Sequence, residues 1–132
     1  MKRKMLSNDF LTLEYRTDAL RITGLTPKSK KNLFADLGNQ PPITTEYGDF
    51  IFHGGHRLWH APESMPRTYI PDSGDISIIE KQDGISLEAP TEPGSGIRKR
   101  IDIQIDSATT TRRLTHILTN NGAWTVELAP WA

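Results

Sequence analysis

Apolar and polar residues alternate with a period of two along most of this chain, the spacing of strands that bury one face. Leu11, Leu13 and Tyr15 share one face of a first strand, and Leu20 and Ile22 begin another. Residues 32–36 and 49–53 are short strand candidates, separated by a loop over 38–45 that contains Pro41-Pro42. Two further runs, 76–80 and 85–88, flank Lys81-Gln82-Asp83-Gly84, whose Asp-Gly pair suits the positive φ of a tight hairpin. After a Pro/Gly-rich loop over 90–96, Ile101, Ile103 and Ile105 alternate with Asp102, Gln104 and Asp106. A strand over 112–120 follows, in which His116 shares a face with Leu114 and Leu118 and reads as a core histidine with an internal partner. An Asn121-Gly122 turn then leads to Trp124, Val126 and Leu128 alternating with Thr125 and Glu127, which predicts a last strand with Trp124 in the core. No segment holds a helical period. The pattern predicts an all-β protein, an antiparallel β-sandwich forming a single domain over 1–132.

Composition narrows the class. Sixteen basic residues balance sixteen acidic ones, so neither nucleic acid nor an anionic membrane surface is expected as a partner. The basic cluster Arg98-Lys99-Arg100 lies beside a strand pattern and reads as a solvated rim. Cysteine is absent, which excludes disulfides, thiolate catalysis and thiolate zinc sites. Ser7-Asn8-Asp9 interrupts any apolar region behind the charged start Met1-Lys2-Arg3-Lys4, so a cytoplasmic protein is the default expectation.

The chemistry concentrates in Gly54-Gly55-His56-Arg57-Leu58-Trp59-His60-Ala61-Pro62-Glu63. Glycines let backbone approach a ligand closely, histidine and arginine donate hydrogen bonds, and tryptophan presents a flat apolar face. Donors beside an aromatic plane are a usual way to hold a sugar; a rigid turn with the tryptophan in the core is the structural alternative. Arg57 and Arg67 each have the geometry for a bidentate contact or for internal pairing with Glu63 or Asp72, with Arg57 favoured for a ligand and Arg67 for structure. His53, His56 and His60, with Glu63, have metal-like spacing on a helix, but the glycines and the proline argue against a helix there, so no metal and no other cofactor is expected.

That run, with Pro66-Arg67-Thr68-Tyr69 and Pro71-Asp72, resembles the N-terminal half of galactose-mutarotase-like proteins, closest to an uncharacterised bacterial branch related to aldose 1-epimerases. The resemblance implies that the chain is about half of a larger β-supersandwich. In aldose 1-epimerases an early Asn-Arg pair holds sugar hydroxyls, a later histidine is the acid and a glutamate is the base. His56-Arg57 stands in place of the Asn-Arg pair. Ala129-Pro130-Trp131-Ala132 stands where the catalytic histidine segment is expected, and the base would lie beyond residue 132. The resemblance therefore implies carbohydrate binding through His56, Arg57, Trp59, His60, Glu63 and Arg67, with Trp59 as stacking platform and Trp131 near the pocket. It does not supply the classical epimerase acid and base, and any catalysis would belong to a complete parent protein.

Two other classes remain open. The chain is alternatively an interaction module whose apolar last strand pairs with a partner or a second copy, since an open edge invites association. The third reading is a metal-dependent enzyme built on the three histidines. The uncovered strand faces of a half-sandwich predict marginal or oligomer-dependent folding.

Overall fold

The computed structural model describes residues 2–132. Strands β1 (Arg3–Ser7), β2 (Leu11–Arg16) and β3 (Arg21–Pro27) form an antiparallel meander. A small hairpin of β4 (Ile43–Thr45) and β5 (Gly48–Phe50) follows, then β6 (His56–Arg57), which pairs with β3, and β7 (Trp59–Ala61). After a 3-10 turn at Arg67–Tyr69, β8 (Ser77–Lys81), β9 (Gly84–Glu88), β10 (Ile97–Ile105) and β11 (Arg112–Asn120) form a second four-stranded meander. The short β12 (Ala129–Trp131) pairs antiparallel with β7. No helix among the described residues is long and apolar enough to cross a membrane.

The two four-stranded sheets face each other, and their inward residues make one core. Leu13, Tyr15, Leu20, Ile22 and Leu58 pack against Ile85, Leu87, Ala89, Ile101 and Ile103. Full burial of one such aliphatic side chain stabilises the fold by about 1.5–3 kcal/mol. The antiparallel sandwich read from the alternation is the observed architecture. The hairpin between β8 and β9 forms as expected, but its turn is Gln82-Asp83: Lys81 pairs with Gly84, which opens β9 and is not a turn residue.

Four expectations are corrected. Residues 32–36 make no strand, because Asn32 ties the chain to β3 as a loop: its Oδ1 accepts from the Leu25 and Phe34 amides, and its Nδ2 donates to the Thr23 carbonyl. Phe34 still packs on the core. The strand expected over 49–53 is the Gly48–Phe50 arm of a hairpin and stops at Phe50. Residues 124–128 are not a strand, and Trp124, 83% exposed, is not in the core. The last strand lies further on and is closed on one side by β7 of the same chain. Conversely, the charged start Arg3–Ser7 forms the edge strand β1, which the alternation did not reveal. Arg3 and Lys4 on that edge suit an edge strand, where charge discourages pairing with another chain.

A bulge in β3 sets the geometry of everything downstream. Leu25 pairs with Leu13 and Gly24 with Glu14, but Ile22 pairs with Tyr15, so Thr23 is an extra residue. That insertion shifts the phase of β3. Leu25 above the bulge and Ile22 and Leu20 below it then all turn inward, while Arg21 turns to the opposite face. Gly24 sits where a Cβ would lie 2.9 Å from the Cβ of Glu14, which is why the bulge takes glycine.

Gly54 and Gly55 both adopt left-handed φ, 70° and 69°, on the approach to β6. A Cβ at Gly55 would lie 2.1 Å from the Ile22 carbonyl oxygen, and one at Gly54 equally close to that of Ala35. The glycines therefore let backbone approach the chain's own backbone rather than a ligand. Gly55→Ala is expected to lower unfolding free energy by about 2–3 kcal/mol, combining left-handed strain with a displaced backbone. Gly74→Ala, at positive φ but in open space, should cost less. Denaturant melts of the two variants check this, and equal losses would show that backbone crowding at Gly55 is unimportant.

Candidate functional site

Residues 56–61 run extended, so their side chains alternate between two faces. His56, Leu58 and His60 turn into the sandwich, whereas Arg57 and Trp59 turn to the other side. The motif is therefore two half-sites back to back.

On the outer side lies a cleft of about 180 Å³. Arg21 and Arg57 are cross-strand partners in β3 and β6 and stand side by side on its floor. Like charges placed opposite repel, and the buried Asp72 carboxylate compensates them. It forms an ion pair with Arg21, and its Oδ2 lies 3.7 Å from Arg57 Nε. Asp72 reaches that place because its segment pairs with the backbone before β3: the Leu20 amide donates to the Asp72 carbonyl at 3.2 Å, and the Gly74 amide to Asp18 at 2.8 Å. Burial opposes ionisation of Asp72, yet Arg21, Lys99 and Arg57 together hold its carboxyl below the usual carboxylate range.

Aromatic rings close the walls. The Arg57 guanidinium lies over Phe50 at 4.3 Å and over Trp59 at 4.1 Å. Phe52 and Tyr69 meet Phe50 edge-on at 5.2 and 5.5 Å. Trp131 of β12 stacks on Trp59 at 4.1 Å with a 15° tilt. Two groups at that height cannot share one ring face, so Arg57 and Trp131 cover opposite faces of Trp59. The tryptophan thus contributes an edge to the cleft, and the free platform expected for a sugar ring is taken by this chain's own side chains. Burial lowers the Arg57 pKa to about 10, which leaves it charged at neutral pH. His53 also lines the cleft, 3.4 Å from Ser73 Oγ; burial first, then the Arg16 and Arg21 cations, push it below the usual imidazole range.

On the inner side, His56 meets His116 of the facing sheet with 2.8 Å between their Nε2 atoms. His116 thus has the internal partner expected of it, a motif residue, but it is only partly buried. His60 sits between Arg67 and Glu92, at 2.9 Å from Arg67 Nη1 and 3.1 Å from Glu92 Oε2. A guanidinium only donates, so His60 Nδ1 accepts and its proton lies on Nε2 toward Glu92. Glu92 also receives Lys99 Nζ at 2.6 Å and Ser95 Oγ at 2.7 Å. Lys99, expected on a solvated rim, is fully buried. It stands in phase with Ile97, Ile101 and Ile103, which carry it inward.

Of the six candidate ligand residues, the structure brings Arg57 and Trp59 to the cleft. His56, His60 and Arg67 lie in the inner network, and Glu63 accepts from the Tyr69 hydroxyl. Arg67 has the structural role expected of it, reaching His60 and the Pro62 carbonyl. His53, His56 and His60 point to three separate neighbourhoods, and among the described residues no group of three or more His, Asp or Glu side chains is placed to hold a metal ion. Sequence reasoning missed Arg21, Phe50, Phe52 and Tyr69 in the cleft, and Glu92 and Lys99 behind it. Only Lys99 left a signal, a cation in register with isoleucines.

No family model, curated protein or solved structure matches this chain.

The inner network makes stability pH-dependent. Contacts to His60, Lys99 and Ser95 outweigh burial and lower the Glu92 pKa from 4.5 to about 2. A depressed acid contributes stability that is complete above its unfolded pKa and is lost as pH falls through the folded one. His56 and His116 are lowered from 6.5, chiefly by burial, and are neutral when folded. Unfolding free energy should therefore fall in two stages on acidification, first below about pH 6.5 and again between about pH 4.5 and 2. Glu92→Gln should shrink the second stage, to which Asp72 also contributes, and cost about 3–5 kcal/mol, since it leaves Lys99 buried and unpaired. Adding Lys99→Met should cost less than the sum of the single changes. Denaturant titrations across pH check both, and strict additivity would show that the pair is not coupled.

Proposed function

We propose that this chain binds a carbohydrate in the cleft over Arg57. One observation carries the reading: guanidinium and imidazole donors are held among aromatic side chains in a space the size of a monosaccharide. Ligand sites of this kind combine an apolar lining with a few fixed polar groups. Arg21, Arg57 and His53 supply donors, and Phe52 and Tyr69 supply apolar wall beside them. The resemblance of the His56-Arg57 segment to the sugar-holding pair of mutarotase-like proteins supports the same use of Arg57.

The role is recognition. No carboxylate lines the cleft among the described residues, and Asp72 behind it is held ionised by its cationic neighbours. Opposed acid-base chemistry at an anomeric carbon requires a second proton-transfer group facing His53.

Arg57→Ala is expected to weaken monosaccharide binding roughly ten-fold or more, the worth of one or two charge-assisted hydrogen bonds. Intrinsic tryptophan fluorescence is a suitable readout, because Trp59 borders the cleft. Titration with aldohexoses and hexuronates checks the proposal. A chain that binds no sugar, or an Arg57→Ala variant that binds as tightly as the parent, would sink it.

Self-association is a second reading, favoured by one observation. Trp124, Val126 and Trp131 are exposed along one C-terminal segment, beside a strand whose outer edge is unpaired among the described residues. Sedimentation across a hundred-fold concentration range should then reveal a dimer that Trp124→Ser dissociates. A monomer throughout would exclude it.

A further inference from the structure

Charge bookkeeping at the cleft is incomplete. Arg21 and Arg57 stand side by side, and one carboxylate, Asp72, serves both. Its Oδ2 is taken by the ion pair with Arg21, and at 3.7 Å from Arg57 Nε it is too distant for a hydrogen bond. Arg57 Nε is buried without a hydrogen-bond partner, although Arg57 Nη2 donates to the Thr68 carbonyl. The nearest further cation, Lys99, has its own carboxylate in Glu92, so it lends none to Arg57. With Phe50 and Trp59 lying against the guanidinium, its in-plane N–H edge is where a polar partner can bind. A largely buried cation that shares its carboxylate and has an unmet donor is costly unless an anion completes it.

We infer that the cleft takes an acidic monosaccharide, a hexuronate, whose carboxylate pairs with Arg57. This deepens the sugar reading above and rests on it. One negative charge matches the one positive charge left over where Arg21 and Arg57 share Asp72. His53 is held neutral by burial and by its cationic neighbours, so it offers a hydrogen bond and no second charge. A phosphate monoester would bring a second negative charge with nothing to meet it. A planar carboxylate also fits the planar guanidinium edge, and a cleft of about 180 Å³ leaves room for one ring.

The test is calorimetric titration of the full chain with glucuronate and galacturonate, their parent hexoses, the methyl esters of the two uronates, glucose 6-phosphate and cyclohexanecarboxylate. The hexuronates should bind roughly ten-fold or more tightly than the hexoses, and the methyl esters should fall back to the hexose level. The esters remove charge from the ligand, so this arm does not depend on a variant folding. In Arg57→Gln, checked for native circular dichroism, the preference should shrink to within about two-fold if the charge pair is its source. Equal binding of hexose and hexuronate would overturn the carboxylate assignment and leave the sugar reading standing. Tighter binding of glucose 6-phosphate would overturn it in favour of phosphate. Binding of cyclohexanecarboxylate alone would overturn the sugar reading while keeping an anion site. Silence from every compound would overturn both.

Discussion

A single carboxylate, Asp72, makes it feasible for two arginines to stand as cross-strand neighbours on one face of the sheet. Without it, the register that pairs Arg21 with Arg57 would set two buried cations beside each other in a low-dielectric setting. The backbone of residues 72–74 is laced to residues 18–20, so the carboxylate is delivered by the same contacts that start β3. Removing one partner from so buried a pair leaves the other uncompensated, which makes the cluster an all-or-none feature. The cleft exists because that cluster holds Arg57 in place beneath the aromatic side chains.

The bulge at Thr23 is the backbone counterpart of this constraint. A regular β3 could not turn both Leu25 and Ile22 inward, because they are three positions apart and the side-chain period is two. The extra residue reconciles the two halves of the strand and sends Arg21 outward. Core packing and site geometry therefore share one backbone irregularity, consistent with the tendency of bulges to re-aim side chains near binding sites.

The inner and outer half-sites are coupled through six residues of extended chain. His56 and His60 anchor it to the facing sheet and to the loop carrying Glu92, and these contacts fix how Arg57 and Trp59 are presented on the reverse side. The buried Glu92–Lys99 pair costs desolvation and returns geometry: Glu92 gathers His60, Lys99 and Ser95 at one point between the sheets. Trp131 completes the arrangement by closing the far face of Trp59, so the last strand supports the cleft wall.

Local sequence determined the fold class and the phase of most core strands. Leu11, Leu13 and Tyr15, then Ile101 and Ile103, were legible because a half-buried strand writes burial directly into a two-residue period. The same logic gave His116 an internal partner, but Lys99 was read as rim on its charge although it stands in phase with Ile101 and Ile103, and it is buried. Where the period was present but the partner strand was not, it misled, as at Trp124 and Val126. The motif's chemistry was visible as residue types, yet its division into an inner network and an outer cleft was not. That division depends on the pairing of β6 with β3, on the bulge in β3, and on Asp72, Phe50 and Glu92 arriving from other segments. Periodicity is a property of neighbours along the chain, so local alternation was enough to set strands and faces. The convergence of charges and rings follows from long-range register, which no local pattern encodes.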